Sequence, residues 1–253
     1  MFTRAIVRLP CRNLKEGLSS ADLGIPLYEE AFSQHGKYIS ALKKLGIDVT
    51  ILDSDEQYPD SVFIEDAAIC DREFAVITRP GALSRRGETE GMKEVLGDFF
   101  NHIEIINQSG TLEGGDVMKV NDHYYVGISA RTNHKGADQL IRVLNDYGLT
   151  GEKVRLAKML HLKTGISYLD NDYILVSGEL AESRQFSKFR KIIVDPHEAY
   201  AANSLWINGK VLVPEGFNDT RRKIEKAGFE TLTLDTSEFR KLDGGLSCLS
   251  LRF

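Results

Sequence analysis

One cysteine and one histidine in this sequence lie in settings that suit nucleophilic catalysis. Cys248 follows the run Asp243-Gly244-Gly245, and paired glycines let the backbone approach a ligand closely. A thiolate nucleophile needs an acid/base partner, and His161 stands at the edge of an apolar run in MLHLKTG. Glu113, in TLEGGD, is placed to orient that histidine and favour its protonated form. A lone cysteine is more often a small buried apolar residue than a nucleophile. The prediction that Cys248 is catalytic therefore depends on the three side chains lying close together in the fold.

The other histidines lie in polar, surface-like segments; they are His35, His102, His123, His134 and His197. We therefore choose His161 as the candidate acid/base.

Charged residues of both signs suggest what such a nucleophile would attack. Asp60, Glu65 and Asp66 bracket an apolar strand in PDSVFIED, and acids there are costly to bury unless they meet a cation. Arg85 in SRRGE and Arg131 in SARTN offer guanidinium forks that hold a carboxylate bidentately. Exposed acids at strand ends are the simpler interpretation of the first motif. Together, however, the two sets suit a zwitterion with an extra positive charge, which is the shape of arginine and its derivatives.

Composition excludes several other classes. The chain has 253 residues, a net charge of −5 and a sequence pI of about 5.7, so it lacks the basic balance of a nucleic-acid binder. Its three cysteines form no CxxC pair, which argues against a disulfide framework or zinc knuckle and favours the cytoplasm. No signal peptide, membrane-spanning run, GxGxxG, P-loop or HExxH occurs. We expect no cofactor, no catalytic metal and no membrane association.

An internal repeat predicts the elements that must position these side chains. A short apolar strand, a polar turn and a second apolar strand recur around Asp71-Arg72, Asn121-Asp122, Asn171-Asp172 and Asn208-Gly209. DGGLSCLSLRF resembles the first half of a fifth copy, which the N-terminal strand 3–9 would complete. Closing the chain this way makes a ring and removes a free sheet edge. Five copies predict an α/β propeller, in one domain spanning 1–253; a doubly wound sheet fits less well because hairpins require antiparallel pairs.

Helical spacing of apolar residues predicts the segments between the hairpins. We expect helices over about 26–45, 88–99, 130–147 and 220–227, the last two ending at Gly148 and Gly228. Segments 10–26 and 181–200 are interpreted as loops, and the first could serve as a lid.

The motifs PDSVFIED, ITRPGALSRRGE, TLEGGDV, SARTN, LHLKTG, AANSLWIN and DGGLSCLSLRF closely resemble those of the dimethylarginine dimethylaminohydrolases, along essentially the whole chain. The resemblance implies the pentein fold, a five-bladed α/β propeller. It also implies hydrolysis of methylated arginines to citrulline through a covalent cysteine intermediate. By matched position, it assigns Cys248 as nucleophile, His161 as proton donor and base, and Glu113 as the support of His161.

The same resemblance assigns the substrate contacts. Asp66, with Glu65 beside it, would grip the guanidinium; Asp60 and the Leu18 backbone would hold the α-amino end. Arg85 and Arg131 would clamp the carboxylate, and Leu242 would contribute its carbonyl. The family implies a small-molecule substrate and allows a homodimer.

Other functions stay open on the residues alone. Arginine deiminases and amidinotransferases use related chemistry but are longer chains. A non-catalytic arginine-binding module would need the acids and arginines without Cys248 and His161. A papain-type protease has its cysteine before its histidine, which is the reverse of the order here.

Overall fold

The computed structural model describes residues 1–253 and contains five three-stranded sheets. In each sheet two strands pair antiparallel, and a third lies parallel to the middle one. The strands are β1 (Arg4–Arg8), β2 (Asp48–Leu52), β3 (Ala68–Cys70), β4 (Phe74–Ile77), β5 (His102–Ile105), β6 (Val117–Val120), β7 (His123–Ile128), β8 (Thr150–Arg155), β9 (Ile166–Tyr168), β10 (Tyr173–Val176), β11 (Arg190–Ile193), β12 (Leu205–Ile207), β13 (Lys210–Pro214), β14 (Glu230–Leu234) and β15 (Leu251–Arg252).

The sheets are the five blades of an α/β propeller, as the internal repeat predicts. Their strand orders are β3-β4-β5, β6-β7-β8, β9-β10-β11, β12-β13-β14 and β15-β1-β2. The fifth blade therefore joins both ends of the chain. Its closure is fixed by backbone hydrogen bonds, in which Thr3 N–H donates to the Phe253 carbonyl at 2.9 Å and Phe253 N–H donates to the Arg4 carbonyl at 3.0 Å.

The hairpin turns follow from residues that tolerate a left-handed backbone. Asn208 and Gly209 have φ of 48° and 94°, as a type I′ turn requires between β12 and β13. Asn121 and Asn171 also have positive φ. The predicted turn at Asp71-Arg72 is longer than two residues, because β3 ends at Cys70 and β4 begins at Phe74.

The helices agree with prediction in part. They are α1 (Tyr28–Lys44), α2 (Met92–Gly97), α3 (His134–Asp146), α4 (Leu162–Gly165), α5 (Asn218–Lys226) and α6 (Ser237–Arg240). The predicted helix over 88–99 is shortened, because Gly91 has a φ of 76° and separates a 3-10 turn from α2. The helix predicted from residue 130 begins at His134, because the Asn133 side chain caps it by accepting from Gly136 N–H at 2.8 Å. The loop predicted over 181–200 is wrong, since β11 lies within it.

The core is divided among five clusters of buried apolar side chains instead of one central core. The cluster that contains Tyr38, Leu42 and Phe63 packs α1 against the turn before β15. No helix in the structure combines the length and the apolar character needed to cross a membrane.

Close backbone approach between blades makes Gly114 sensitive to substitution. A Cβ added there would lie 1.9 Å from the Glu65 carbonyl oxygen, so neighbouring backbones must move apart. We expect Gly114→Ala to lower the free energy of unfolding by at least about 2 kcal/mol, as overpacking does. Chemical denaturation would measure this. Gly36→Ala is the matched control: Gly36 is exposed in α1 with no atom within 4 Å of its added Cβ. Gly36→Ala should raise the free energy of unfolding by about 1 kcal/mol relative to the unsubstituted protein, because alanine favours the helix. Equal stability of the two variants would contradict the prediction.

Candidate active site

Corresponding turns of different blades place four of the predicted residues around one site. Asp66 precedes β3, Glu113 precedes β6, His161 precedes β9, and Cys248 precedes β15. A cavity of about 210 Å³ lies at this end of the blades. It is lined by eight of the ten predicted residues: Leu18, Asp60, Asp66, Arg85, Arg131, His161, Leu242 and Cys248. Glu113 lies behind His161, and Glu65 faces elsewhere.

Cys248 lies in a tight 3-10 turn, Leu246–Leu249, that follows the paired glycines. The Gly245 N–H donates to its Sγ at 3.4 Å. A Cβ on Gly244 would lie 2.1 Å from the Phe63 ring, so glycine is needed for the turn to approach it. Burial, together with the nearby carboxylates of Glu65 and Asp66, raises the pKa of the Cys248 thiol to about 12. The thiol is therefore neutral in the free protein at neutral pH.

His161 is the opposite case, a buried imidazole that carries a proton. Its Nε2 lies 2.7 Å from Glu113 Oε2. Burial lowers the His161 pKa, but the charge of Asp66, the hydrogen bond with Glu113 and the charge of Asp116 outweigh it and raise the pKa to about 9. Gly115 leaves room for the ring, since a Cβ there would lie 2.8 Å from it. The site therefore holds a proton donor next to a neutral thiol.

Glu113 is fully buried and is held on both oxygens. Its Oε1 accepts from the N–H groups of Gly81 at 2.9 Å and Ala82 at 3.3 Å, and lies 3.5 Å from Arg131 Nη1. Burial raises the Glu113 pKa, but the hydrogen bond from His161 lowers it below its ordinary value. Glu113 is therefore an anion whose geometry fixes the imidazole.

Two of the predicted acids line the cavity. Asp66 accepts from Gly115 N–H at 2.7 Å and from Arg85 Nη1 at 2.6 Å. Burial raises its pKa, but His161 and Arg85 lower it to about 2, so Asp66 is charged. Asp60 accepts the Leu18 N–H on both oxygens, at 3.0 and 3.1 Å, and burial raises its pKa. These carboxylates give the cavity a surface that can bind cations.

The two predicted carboxylate-binding arginines differ in how many of their N–H groups are already hydrogen-bonded within the protein. Arg85 is buried and donates from Nε and Nη2 to Glu88, at 2.9 and 2.8 Å, and from Nη1 to Asp66. Its Nη2 also donates to the Phe63 carbonyl at 3.1 Å, which leaves one Nη1 hydrogen without a partner. Arg131 is partly exposed and makes one long contact with Glu113. Arg131 is therefore the arginine that can meet an incoming carboxylate without rearrangement.

Sequence reasoning did not assign a role to Glu88. The only available signal was its position three residues after Arg85, a spacing at which helical side chains can pair. In the structure the two form a buried ion pair within the turn Leu83–Thr89.

Glu65 points away from the cavity. Its carboxylate lies 2.6 Å from Lys163 Nζ and 2.5 Å from Arg252 Nη2, and accepts from Ser247 Oγ at 2.8 Å. These residues line a second cavity of about 330 Å³, which also contains Cys70. A contact between Glu65 and substrate stays a prediction; its observed contacts place it between the two cavities.

The site combines a thiol, an imidazolium fixed by a carboxylate, and further acids that can hold a cation. These groups lie together at one end of a five-bladed α/β propeller. The combination defines a guanidino-group-modifying enzyme of the cysteine type.

Comparison with known proteins gives the family. The model of the family described as "N,N dimethylarginine dimethylhydrolase, eukaryotic" matches residues 26–195. The chain is 49% identical to the dimethylarginine dimethylaminohydrolase of Pseudomonas aeruginosa over all of both chains. A cysteine-to-serine variant of the Pseudomonas aeruginosa enzyme, solved with citrulline, superposes with a TM-score of 0.99 at 48% identity over both full chains. A histidine-to-glycine variant of a dimethylarginine dimethylaminohydrolase was solved as an adduct with S-methyl-L-thiocitrulline. It superposes over both full chains with a TM-score of 0.98 at 48% identity. The chain belongs to the dimethylarginine dimethylaminohydrolase family.

Proposed function

We propose that this protein hydrolyses Nω,Nω-dimethyl-L-arginine and Nω-monomethyl-L-arginine to L-citrulline and dimethylamine or methylamine. The observation that carries the proposal is the cavity where Cys248, protonated His161 and Asp66 meet. The relative of the same fold that was solved with citrulline supports it.

Substrate docking supplies the charge that the thiol lacks. The guanidinium binds Asp66, while Asp60 and the Leu18 backbone take the α-amino group and Arg131 takes the carboxylate. Because Cys248 is neutral in the free protein, the substrate cation must stabilise the thiolate, and the thiol proton leaves to solvent. Contact with a cation therefore both positions the reacting carbon and creates the nucleophile.

The chemistry then proceeds in two displacements. The thiolate attacks the guanidinium carbon, and the C=N π pair moves to nitrogen to give a neutral tetrahedral adduct. His161 donates its proton to the substituted nitrogen, and the C–N bond breaks. Dimethylamine departs, and an S-alkylthiouronium remains on Cys248. His161, now neutral, takes a proton from water, whose oxygen attacks the same carbon. The resulting neutral tetrahedral adduct collapses: its C–S bond breaks, and its hydroxyl proton passes to the departing sulfur. Citrulline forms, and the enzyme returns to a neutral Cys248 thiol beside protonated His161.

Product analysis tests the reaction. The protein is incubated separately with asymmetric dimethylarginine, monomethylarginine and arginine, and citrulline, methylamines and ammonia are followed by mass spectrometry. Citrulline with the matching methylamine, and little ammonia from arginine, is expected. Faster release of ammonia from arginine would make the protein a deiminase instead. Binding of all three without product would sink the hydrolase assignment.

Glu88 gives this function a pH-dependent affinity. Burial raises the pKa of Glu88 to about 7 even though the charge of Arg85 lowers it; Asp60 and Asp66 also face it and raise it. Above that pH, charged Glu88 holds Arg85, which in turn donates to Asp66, the acid that binds the guanidinium. Below that pH, protonation of Glu88 weakens this hold on the binding acid. We expect Glu88→Gln to raise KM for dimethylarginine about tenfold at pH 8, which corresponds to about 1.4 kcal/mol.

Steady-state kinetics across pH would check the Glu88 prediction. The KM of the unsubstituted enzyme should rise as pH falls through about 7, and Glu88→Gln should lack that rise. Glu90→Gln, an exposed neighbour, is the control and should leave KM unchanged. Identical KM profiles for all three proteins would contradict the prediction.

We also propose that residues 1–253 act as one domain, since the blade β15-β1-β2 joins both ends. Three free cysteines suit a reducing cytoplasm, which we propose as the compartment. A homodimer is proposed from the family resemblance alone.

A further inference from the structure

Asp116 is a buried carboxylate that has no part in the steps above. It lies at the end of the turn Gly114–Asp116, directly before β6, and is fully buried. No lysine or arginine forms an ion pair with it. Burial raises the pKa of Asp116, because an isolated buried charge is costly; the charge of His161 and the hydrogen bonds that Asp116 accepts oppose this rise and favour its charged form.

Those partners are two turns that carry site residues. Asp116 Oδ1 accepts the Leu162 N–H at 2.9 Å, and Leu162 directly follows His161. Its Oδ2 accepts from Ser129 Oγ at 2.6 Å, and Ser129 Oγ in turn accepts the Arg131 N–H at 3.0 Å. One carboxylate therefore links the turn that presents the imidazole with the turn that presents the freer arginine.

The backbone of the neighbouring strand packs closely against Asp116. A Cβ on Gly127 would come within 2.7 Å of Asp116 Oδ1 and 2.9 Å of Leu162 Cβ. Glycine at 127 therefore allows the strand to approach the carboxylate. Because both carboxylate oxygens are bonded inside this close packing, the two turns are held at a fixed separation.

We propose that Asp116 is a positioning residue of the hydrolase site, which fixes the turns of His161 and Arg131 and acts on the imidazole through its buried negative charge. The inference rests on the proposed function for what the positioned groups do.

The charges around His161 explain why Asp116 matters electrostatically. The other charged or titratable groups near the ring or its carboxylate partners are Asp66, Glu113, Arg85, Arg131 and Cys248. Arg85 pairs with Asp66 at 2.6 Å, and Arg131 lies 3.5 Å from Glu113. Asp116 has no such partner, so no counter-ion offsets its effect on the ring. The raised His161 pKa is consistent with this.

Two variants separate the charge of Asp116 from its hydrogen bonds. Asp116→Asn keeps the shape and an acceptor for Leu162 N–H but removes the charge. Ser129→Ala keeps the charge but breaks the link to Arg131. The His161 pKa is measured by NMR on isotope-labelled histidine without substrate, and the signal is identified by its loss in His161→Gln. Near-UV circular dichroism checks that each variant is folded.

In Asp116→Asn we expect the proton affinity of His161 to fall about tenfold and the alkaline limb of kcat to move to lower pH. Ser129→Ala should leave the His161 pKa unchanged and raise KM severalfold through Arg131. An unshifted His161 pKa in Asp116→Asn, or an equal shift in both variants, would overturn the inference. If Asp116→Asn does not fold, unchanged KM in Ser129→Ala would overturn it. The NMR measurement of the His161 pKa needs no turnover, so it tests Asp116 independently of the proposed function. If the His161 pKa shifts in Asp116→Asn but the unsubstituted protein makes no citrulline, the proposed function is refuted and the electrostatic effect of Asp116 stands.

Discussion

Replacing Cys248 by serine is expected to abolish citrulline formation, with kcat/KM at least about 10⁴-fold lower, as for loss of the nucleophile in other covalent enzymes. A buried serine hydroxyl ionises far less readily than a thiol, and even the Cys248 thiol needs the substrate cation to ionise. Dimethylarginine should still bind, because its cationic and carboxylate contacts come from other residues. Mass spectrometry of the products and calorimetry of binding would measure the two effects.

Cys70→Ser is the matched control for this prediction. Cys70 is a free cysteine that lines the second cavity, on the other side of Glu65. Its substitution should leave turnover near that of the unsubstituted enzyme. Citrulline formation by Cys248→Ser at more than a few per cent of the normal rate would rule out the covalent route.

Replacing His161 by asparagine is expected to lower kcat for dimethylarginine about 10³-fold, within the usual range for loss of a general acid/base. Dimethylamine cannot depart as an anion, so the first step needs the imidazolium proton. A substrate whose leaving group is a thiolate, such as S-methyl-L-thiocitrulline, needs that proton less. Its first step should be slowed far less, and the covalent adduct should accumulate because water lacks a base.

Rapid-quench mass spectrometry of the intact protein would measure the His161→Asn adduct and its decay. The histidine variant solved as an adduct with S-methyl-L-thiocitrulline shows that such a species can persist in a relative. His134→Asn, at an exposed position in α3, is the control and should show neither effect. Equal rate losses with both substrates would exclude His161 as the donor to the leaving amine.

The repeat was predictable because hairpins leave a local signal. Asn208-Gly209 specifies its turn through two left-handed residues, and the apolar runs on either side form β12 and β13. The fifth blade was predictable because the half-repeat that ends in β15 lacks a partner strand, and β1 provides it. The motifs before each first strand then placed the thiol, imidazole and acids together.

Features that depend on packing between distant segments were not predictable. The polar neighbours of His35 in sequence predict a surface residue, but this prediction is wrong: His35 is fully buried in α1 beside Tyr38 and Phe239. Neither ring nitrogen has a hydrogen-bond partner, and burial lowers its pKa to about 4. The pairing of Arg85 with Glu88 likewise became visible only when the turn around it was known.

The closure of the fifth blade also affects how the protein is made. Because β1 pairs with β15, which is synthesised long after it, β1 keeps one edge unpaired until β15 is available. Cys248 lies only three residues before β15, so the thiol reaches its place only as that final strand docks. Contacts between residues so far apart in the chain form slowly during folding. The reactive site is therefore completed only after β15 has been synthesised, and a nascent chain that carries the acids and the histidine without Cys248 is still inert.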